Sequence, residues 1–128
     1  MDTNKQGYLK QIHPVLPVKD ITKTIDYYVS KLGFKLAFTD TTDANGYAGV
    51  GRDGIEIHLQ WHDSIEWENG FNTQMLRIYV EHIEQLFEEY KTKNVFHKNT
   101  TLKSTPWRTK EFAFYDLFGN GLTFYRDN

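Results

Sequence analysis

Histidines and carboxylates are the side chains of this 128-residue chain that could hold a divalent metal or move a proton. The histidines are His13, His58, His62, His82 and His97. No HExxH pair occurs, and no spacing of two histidines with a carboxylate marks an iron triad. Glu56 and His58 stand two residues apart, so a strand would put them on one face. His13 lies next to a predicted strand start. Ser30, Ser64 and Ser104 lack a nucleophile elbow such as GxSxG. The chain has no cysteine, which excludes disulfides, thiolate nucleophiles and Cys-based zinc sites. Gly49-Val50-Gly51 is too short to cradle a phosphate. Taken alone, these residues name no catalyst.

Aromatic rings are the stronger lead, at 16% of residues. Phe38, Tyr47, Trp61, Trp67 and Trp107 fall in predicted strands or loops rather than on helical stripes. Trp107 stands out because its neighbours, Thr105-Pro106-Trp107-Arg108-Thr109-Lys110, are otherwise polar. An indole there can serve as a platform for stacking or cation–π contact. Folding back over the core, or a place in a dimer contact, is the competing reading.

A repeated unit must position these groups. Ile21, Thr24, Ile25 and Tyr28 follow the i, i+3, i+4, i+7 stripe of an amphipathic helix. Ile83, Leu86, Phe87 and Tyr90 show the same stripe at a constant offset of 62 residues, with Val18 mapping onto Val80. Short apolar strands precede both helices, at Val15–Val18 and Met75–Val80. Residues 8–38 and 71–95 are therefore two copies of one strand–helix unit. Asp20 suits an N-cap, His82 is a poorer one, and Gly33 suits the C′ position that ends the first helix.

Strands are predicted after each helix: Phe34–Thr39, Gly46–Gly51 and Ile55–Trp61 in the first half, and a weak stretch near Val95–His97, then Phe112–Tyr115 and Gly121–Tyr125, in the second. Arg52-Asp53-Gly54 is a hairpin signal. Thr39–Asn45, Asp63–Asn72 and Lys98–Arg108 read as loops. Each half is βαβββ, so the fold class is α+β, one domain over residues 1–128 with modules at about 8–62 and 71–128. In Ile55–Trp61 the apolar residues Ile55, Ile57, Leu59 and Trp61 alternate with Glu56, His58, Gln60 and His62. The apolar face should pack under a helix. The polar face of such a strand ordinarily meets water, although in a curved sheet it would line a cavity.

Bulk properties narrow the function. A net charge of −2 without a basic stripe argues against a nucleic-acid partner. No window approaches the length of apolar chain needed to span a bilayer. The polar opening residues show no signal-like run, so a cytoplasmic protein is expected.

The motifs resemble the vicinal oxygen chelate superfamily, which includes glyoxalase I, extradiol dioxygenases, and fosfomycin and bleomycin resistance proteins. Val18-Lys19-Asp20-Ile21, Ile25-Asp26-Tyr27-Tyr28 and Lys31-Leu32-Gly33-Phe34 carry the first half of the likeness. Asp116-Leu117-Phe118-Gly119-Asn120 resembles the superfamily's Asp-Pro-x-Gly-Asn turn, with Leu117 in place of proline. The resemblance implies mixed sheets curved around a cavity. It places the superfamily's metal positions at His13, Glu56, Met75 and Thr123. His13 and Glu56 suit a metal, whereas methionine and threonine are poor ligands for a hard ion. The resemblance is closest to bleomycin resistance proteins. Pro14-Val15-Leu16, Tyr47-Ala48-Gly49-Val50-Gly51-Arg52-Asp53 and Pro106-Trp107-Arg108-Thr109-Lys110-Glu111-Phe112-Ala113 carry it. Arg108 and Lys110 depart from the glycine and arginine of that last motif. This likeness implies a homodimer that sequesters a flat, cationic antibiotic without chemistry, metal or other cofactor. Its groove residues would be Phe38, Tyr47, His58, Gln60 and Trp107. The alternative implied by the wider superfamily is a metal-dependent glyoxalase- or dioxygenase-type enzyme using His13 and Glu56.

Overall fold

The computed structural model describes residues 5–40, 42–70 and 72–128. The polar opening residues 1–4, Thr41 in the first predicted loop and Phe71 at the start of the second module lie outside them.

Strand β1 (Val15–Val18) leads into helix α1 (Ile21–Asp26), then come β2 (Lys35–Thr39), β3 (Tyr47–Arg52) and β4 (Ile55–Trp61). After a short helix α2 (Ser64–Glu68), the pattern repeats as β5 (Met75–Tyr79), α3 (Ile83–Lys91), β6 (Lys103–Ser104), β7 (Thr109–Tyr115) and β8 (Gly121–Asp127). The first sheet has the order β1-β4-β3-β2 and the second β5-β8-β7-β6. In each, the first strand runs parallel to the last strand of its half and the remaining pairs are antiparallel. The tandem α+β repeat is thus present as two open, mixed four-stranded sheets of matching topology.

Local chemistry explains the elements. Asp20 caps α1, its Oδ1 accepting the Lys23 N–H at 3.0 Å. That amide, with the Thr22 hydroxyl, holds the Asp20 carboxyl below the usual carboxylate range against the opposing effect of burial. His82 precedes α3 with a left-handed backbone and no side-chain cap bond, the weaker cap its residue type predicts. Gly33 ends the first helical segment at φ +76, a conformation costly for any residue with a Cβ. Asp53-Gly54 closes the β3–β4 hairpin, Arg52 pairing with Ile55.

Four expectations need correction. The first helix widens into a π-helical turn over Tyr27–Lys31, where the stripe predicted regular α-helix. Residues 63–72 are not simply a loop, because Asp63 and Glu66 form a reciprocal capping box that starts α2. The weak stretch at 95–97 is not a strand. Val95 is buried and Phe96 packs on the rings of Phe87 and Phe112, so these residues plug the core, and the edge pairing falls at Lys103–Ser104. The alternation of β4 also breaks at its ends. Ile57 and Leu59 are buried, but Ile55, beside the turn, is exposed, and His62, beyond the strand end, is buried with its Nδ1 2.9 Å from Glu66 Oε2.

One apolar core joins the halves, built from residues such as Leu16, Ile21 and Leu59 of the first and Ile83, Phe112 and Phe124 of the second. Two tyrosines at the repeat offset cross between halves. Tyr28 donates its O–H to Asp116 Oδ2 at 2.8 Å, and Tyr90 donates to the Leu32 carbonyl at 2.8 Å. Asn120 adds a bond from its Nδ2 to the Pro17 carbonyl at 2.9 Å. Arg52 grips Glu89 with two bonds of 2.8 and 2.9 Å. Among the described residues no helix is long and apolar enough to cross a membrane.

Tyr28→Phe strands part of a buried hydrogen-bond network and should lower unfolding stability by about 1–3 kcal/mol, as should Tyr90→Phe. In urea titrations of each variant, signals from Trp61 and Trp107 should keep a common midpoint, because the halves share one core. Asp20→Ala should cost about 1 kcal/mol at neutral pH. Since the native carboxyl titrates below its unfolded value, that contribution is full above the unfolded pKa and fades as pH falls through the folded one, which thermal melts across acid pH would read.

Candidate functional site

The polar face of β4 is only partly open to water. Glu56 and His58 point from it two residues apart, flanked by Tyr47 of β3 and Phe38 of β2. His58 is ringed by aromatics: Phe38 meets it edge-on at 5.2 Å, Tyr47 at 5.4 Å, and His13 stacks on it at 4.5 Å. Phe38 and Tyr47 are nearly parallel at 6.0 Å. Gly49 makes this possible, because a Cβ there would lie 2.4 Å from Cε1 of Phe38. Gln60 is exposed directly across the ladder from Tyr47. Four of the expected groove residues therefore share one sheet.

Hydrogen bonds order this cluster. His58 donates from Nε2 to Glu56 Oε2 at 2.8 Å, and the Tyr47 hydroxyl meets His58 Nδ1 at 2.7 Å. His13 donates from Nδ1 to the Glu56 carbonyl at 3.2 Å. The ligand atoms of His13, Glu56 and His58 all lie within 4.8 Å of one another. The other two positions of the implied metal set lie in the second sheet. Met75 is 64% exposed on β5, and Thr123 sits in β8 between Arg77 and Ala113.

Trp107 belongs to the second sheet, in the turn between β6 and β7. Its indole is 60% exposed, so it does not fold back to cap the core. Nε1–H reaches Glu111 Oε2 at 3.4 Å. Burial pushes the Glu111 carboxyl up, but donors from Thr109, Arg77 and Trp107 outweigh it and hold the group below the usual range. The turn is braced by Thr105, whose Oγ accepts the Thr109 N–H at 3.1 Å. Arg108 sits at φ +68, the left-handed region that the glycine of the related motif occupies freely. Within one chain the described partner of the indole is Glu111, not the Phe38–Tyr47–His58 cluster. A cleft of about 720 Å³ lies instead where the segment before β1 and the β3–β4 hairpin face β5, with His13, Glu56, Arg77 and Tyr79 among its lining residues.

The sequence pointed to Glu56 and His58 by their spacing, but it gave no hint of the stack that brings His13 onto His58. Glu111, the indole's partner, carries no sequence signal beyond its place four residues after the tryptophan.

Comparisons with known proteins bear on what such a surface does. The chain is 34% identical to a bleomycin resistance protein of Geobacillus stearothermophilus over 88% of this chain and 93% of that protein. A Staphylococcus aureus bleomycin resistance protein matches to the same degree. The fold superposes on the bleomycin-binding protein of bleomycin-producing Streptomyces verticillus, solved with copper(II)-bleomycin, at a TM-score of 0.71 and 25% identity, covering 94% and 100% of the two chains. It also matches the bleomycin resistance determinant of transposon Tn5 at 0.76 and 17% identity, over 94% and 99% of the chains. The family model Glyoxalase/Bleomycin resistance protein/Dioxygenase superfamily matches residues 10–124. With the paired βαβββ halves, the Gly33 and Asp116–Asn120 turns and the Pro106-Trp107 motif all lying inside that match, the chain belongs to the glyoxalase/bleomycin resistance protein/dioxygenase superfamily.

Proposed function

We propose that this protein sequesters a flat, cationic antibiotic of the bleomycin type, reversibly and without transforming it. The observation that carries this reading is the Phe38–Tyr47–His58 ring cluster on an open sheet face, together with an indole at Trp107 left exposed. Rings stack on a planar heteroaromatic ligand, while Gln60 and the Glu56–His58 pair offer hydrogen bonds to its amides. The names of the relatives point to the same ligand class.

The groove of this reading forms between two copies, because Trp107 and the ring cluster sit on different sheets of one chain. An extended segment supports the pairing. Tyr8, Leu9 and Ile12 precede β1 and are 86%, 100% and 94% exposed, an arrangement a second copy would cover. The weakly acidic surface favours a cationic ligand.

Titration with bleomycin should change the intrinsic tryptophan fluorescence saturably, and Trp107→Ala should weaken binding by about tenfold or more. Absence of any change at tens of micromolar drug would sink bleomycin as the ligand. Light scattering after gel filtration should report a dimer, and the double variant Leu9→Asp, Ile12→Asp should shift it towards monomer. A monomeric parent protein would overturn the two-copy groove.

A further inference from the structure

Glu111 stands on β7, directly across the ladder from Tyr125, and its side chain is only 10% exposed. All the bonds it receives fall on one oxygen. Oε2 accepts from Thr109 Oγ1 at 2.7 Å, from Arg77 Nη2 at 3.2 Å and from Trp107 Nε1 at 3.4 Å. Oε1 accepts none from the described residues. Asp116, the other buried carboxylate of the second half, shows what a structural role looks like. Its Oδ1 accepts from the amides of Phe118 and Asn120, and its Oδ2 from Tyr28 and the Asn120 side chain. An acceptor left unpaired in so buried a side chain costs stability. Oε1 is not sealed in the core, because no fully buried side-chain polar atom among the described residues lacks a partner. It opens to the surface beside the exposed Trp107 indole.

We propose that Glu111 contacts the ligand: Oε1 accepts a hydrogen bond from a neutral N–H group, such as a carboxamide, borne on a planar ring that lies on Trp107. This rests on the stacking at Trp107 proposed above and adds the polar group that the stacked ring must carry.

Geometry and charge both support the contact. The Nε1–H bond lies in the indole plane, so the carboxylate it reaches sits at the rim of the ring rather than over its face. A flat ligand stacked about 3.5–4.0 Å above the indole brings a substituent at its own rim within hydrogen-bond reach of that carboxylate. Burial opposes ionisation of Glu111, but its donors hold it below the usual carboxylate range, so at neutral pH Oε1 only accepts. A neighbouring charge decides which donor suits it. The Arg77 guanidinium pairs with Glu111 and lies over the Tyr125 ring, with Cζ 4.3 Å from the ring centre. One carboxylate and one guanidinium leave this corner without net charge. An ammonium group therefore gains little there over a neutral N–H and loses more hydration on entering, whatever charge the rest of the ligand carries.

Three probes with one ring system test the assignment: quinoline-3-carboxamide, the corresponding methyl ester, which lacks the N–H, and the corresponding aminomethyl compound, an ammonium at neutral pH. Binding is followed by NMR on the indole N–H signal of Trp107, identified by its loss in Trp107→Ala. The carboxamide should bind the parent about tenfold tighter than the ester, and tighter than the amine. Glu111→Leu should abolish the preference for the carboxamide and leave the ester affinity within about twofold, whereas a purely structural Glu111 would weaken all three probes alike. Should circular dichroism show that the leucine variant has lost its fold, Glu111→Gln keeps the volume without the charge and should cut the preference to about threefold. Arg77→Met should shift the carboxamide-to-amine affinity ratio about tenfold towards the amine. Equal affinity of the parent for carboxamide and ester, or an unchanged preference in a folded Glu111 variant, would overturn the contact while the stacking at Trp107 stands. No shift of the Trp107 signal with any probe would overturn both.

Discussion

The two halves are held in register by buried polar bonds that run between them, and the rest of the structure depends on that seam. Tyr28 and Tyr90 occupy equivalent places in the repeat, and each sends its hydroxyl into the opposite half. Burial pushes the Tyr90 hydroxyl up to about 12, so it stays a donor throughout the physiological range. Asp116 is the acceptor for Tyr28 and for the amides of Phe118 and Asn120, so one carboxylate both shapes the turn before β8 and fastens it to the first helical segment. A buried polar atom without a partner costs more than a hydrogen bond gains. Any sliding of one half against the other would therefore strand several such groups together.

This constraint has a consequence for recognition. With the helices and shared core occupying one side of each sheet, the opposite faces are left to present side chains. The Phe38–Tyr47–His58 cluster sits on the first sheet and Trp107 on the second. The seam fixes the relation of those faces within a chain, so the rings do not close on each other.

Much of the fold was legible because its causes are local. The stripe of Ile21 and Tyr28, the Asp20 cap, the Gly33 stop and the Asp53-Gly54 hairpin depend on residues a few positions apart. The Asp63–Glu66 capping box is equally local but sits inside a polar stretch whose composition reads as a loop. Residues 95–97 misled for a different reason. Val95 and Phe96 have the composition of a strand, but whether apolar residues pair or plug depends on the space left by Phe87 and Phe112, which are distant in sequence from one or both of them. The π-helical turn at Tyr27–Lys31 leaves no mark in periodicity either.

The sequence by itself determined the repeat, the class of fold, the family and the residue types on the polar face of β4. Each of these follows from spacing and side-chain chemistry along the chain. Only the tertiary structure decided which of them meet. It put His13 against His58 and set the Trp107 indole and the Phe38–Tyr47–His58 rings on different sheets. Those relations arise from strand pairing and packing between residues tens of positions apart, and no local pattern encodes the distance between two side chains brought together across a sheet.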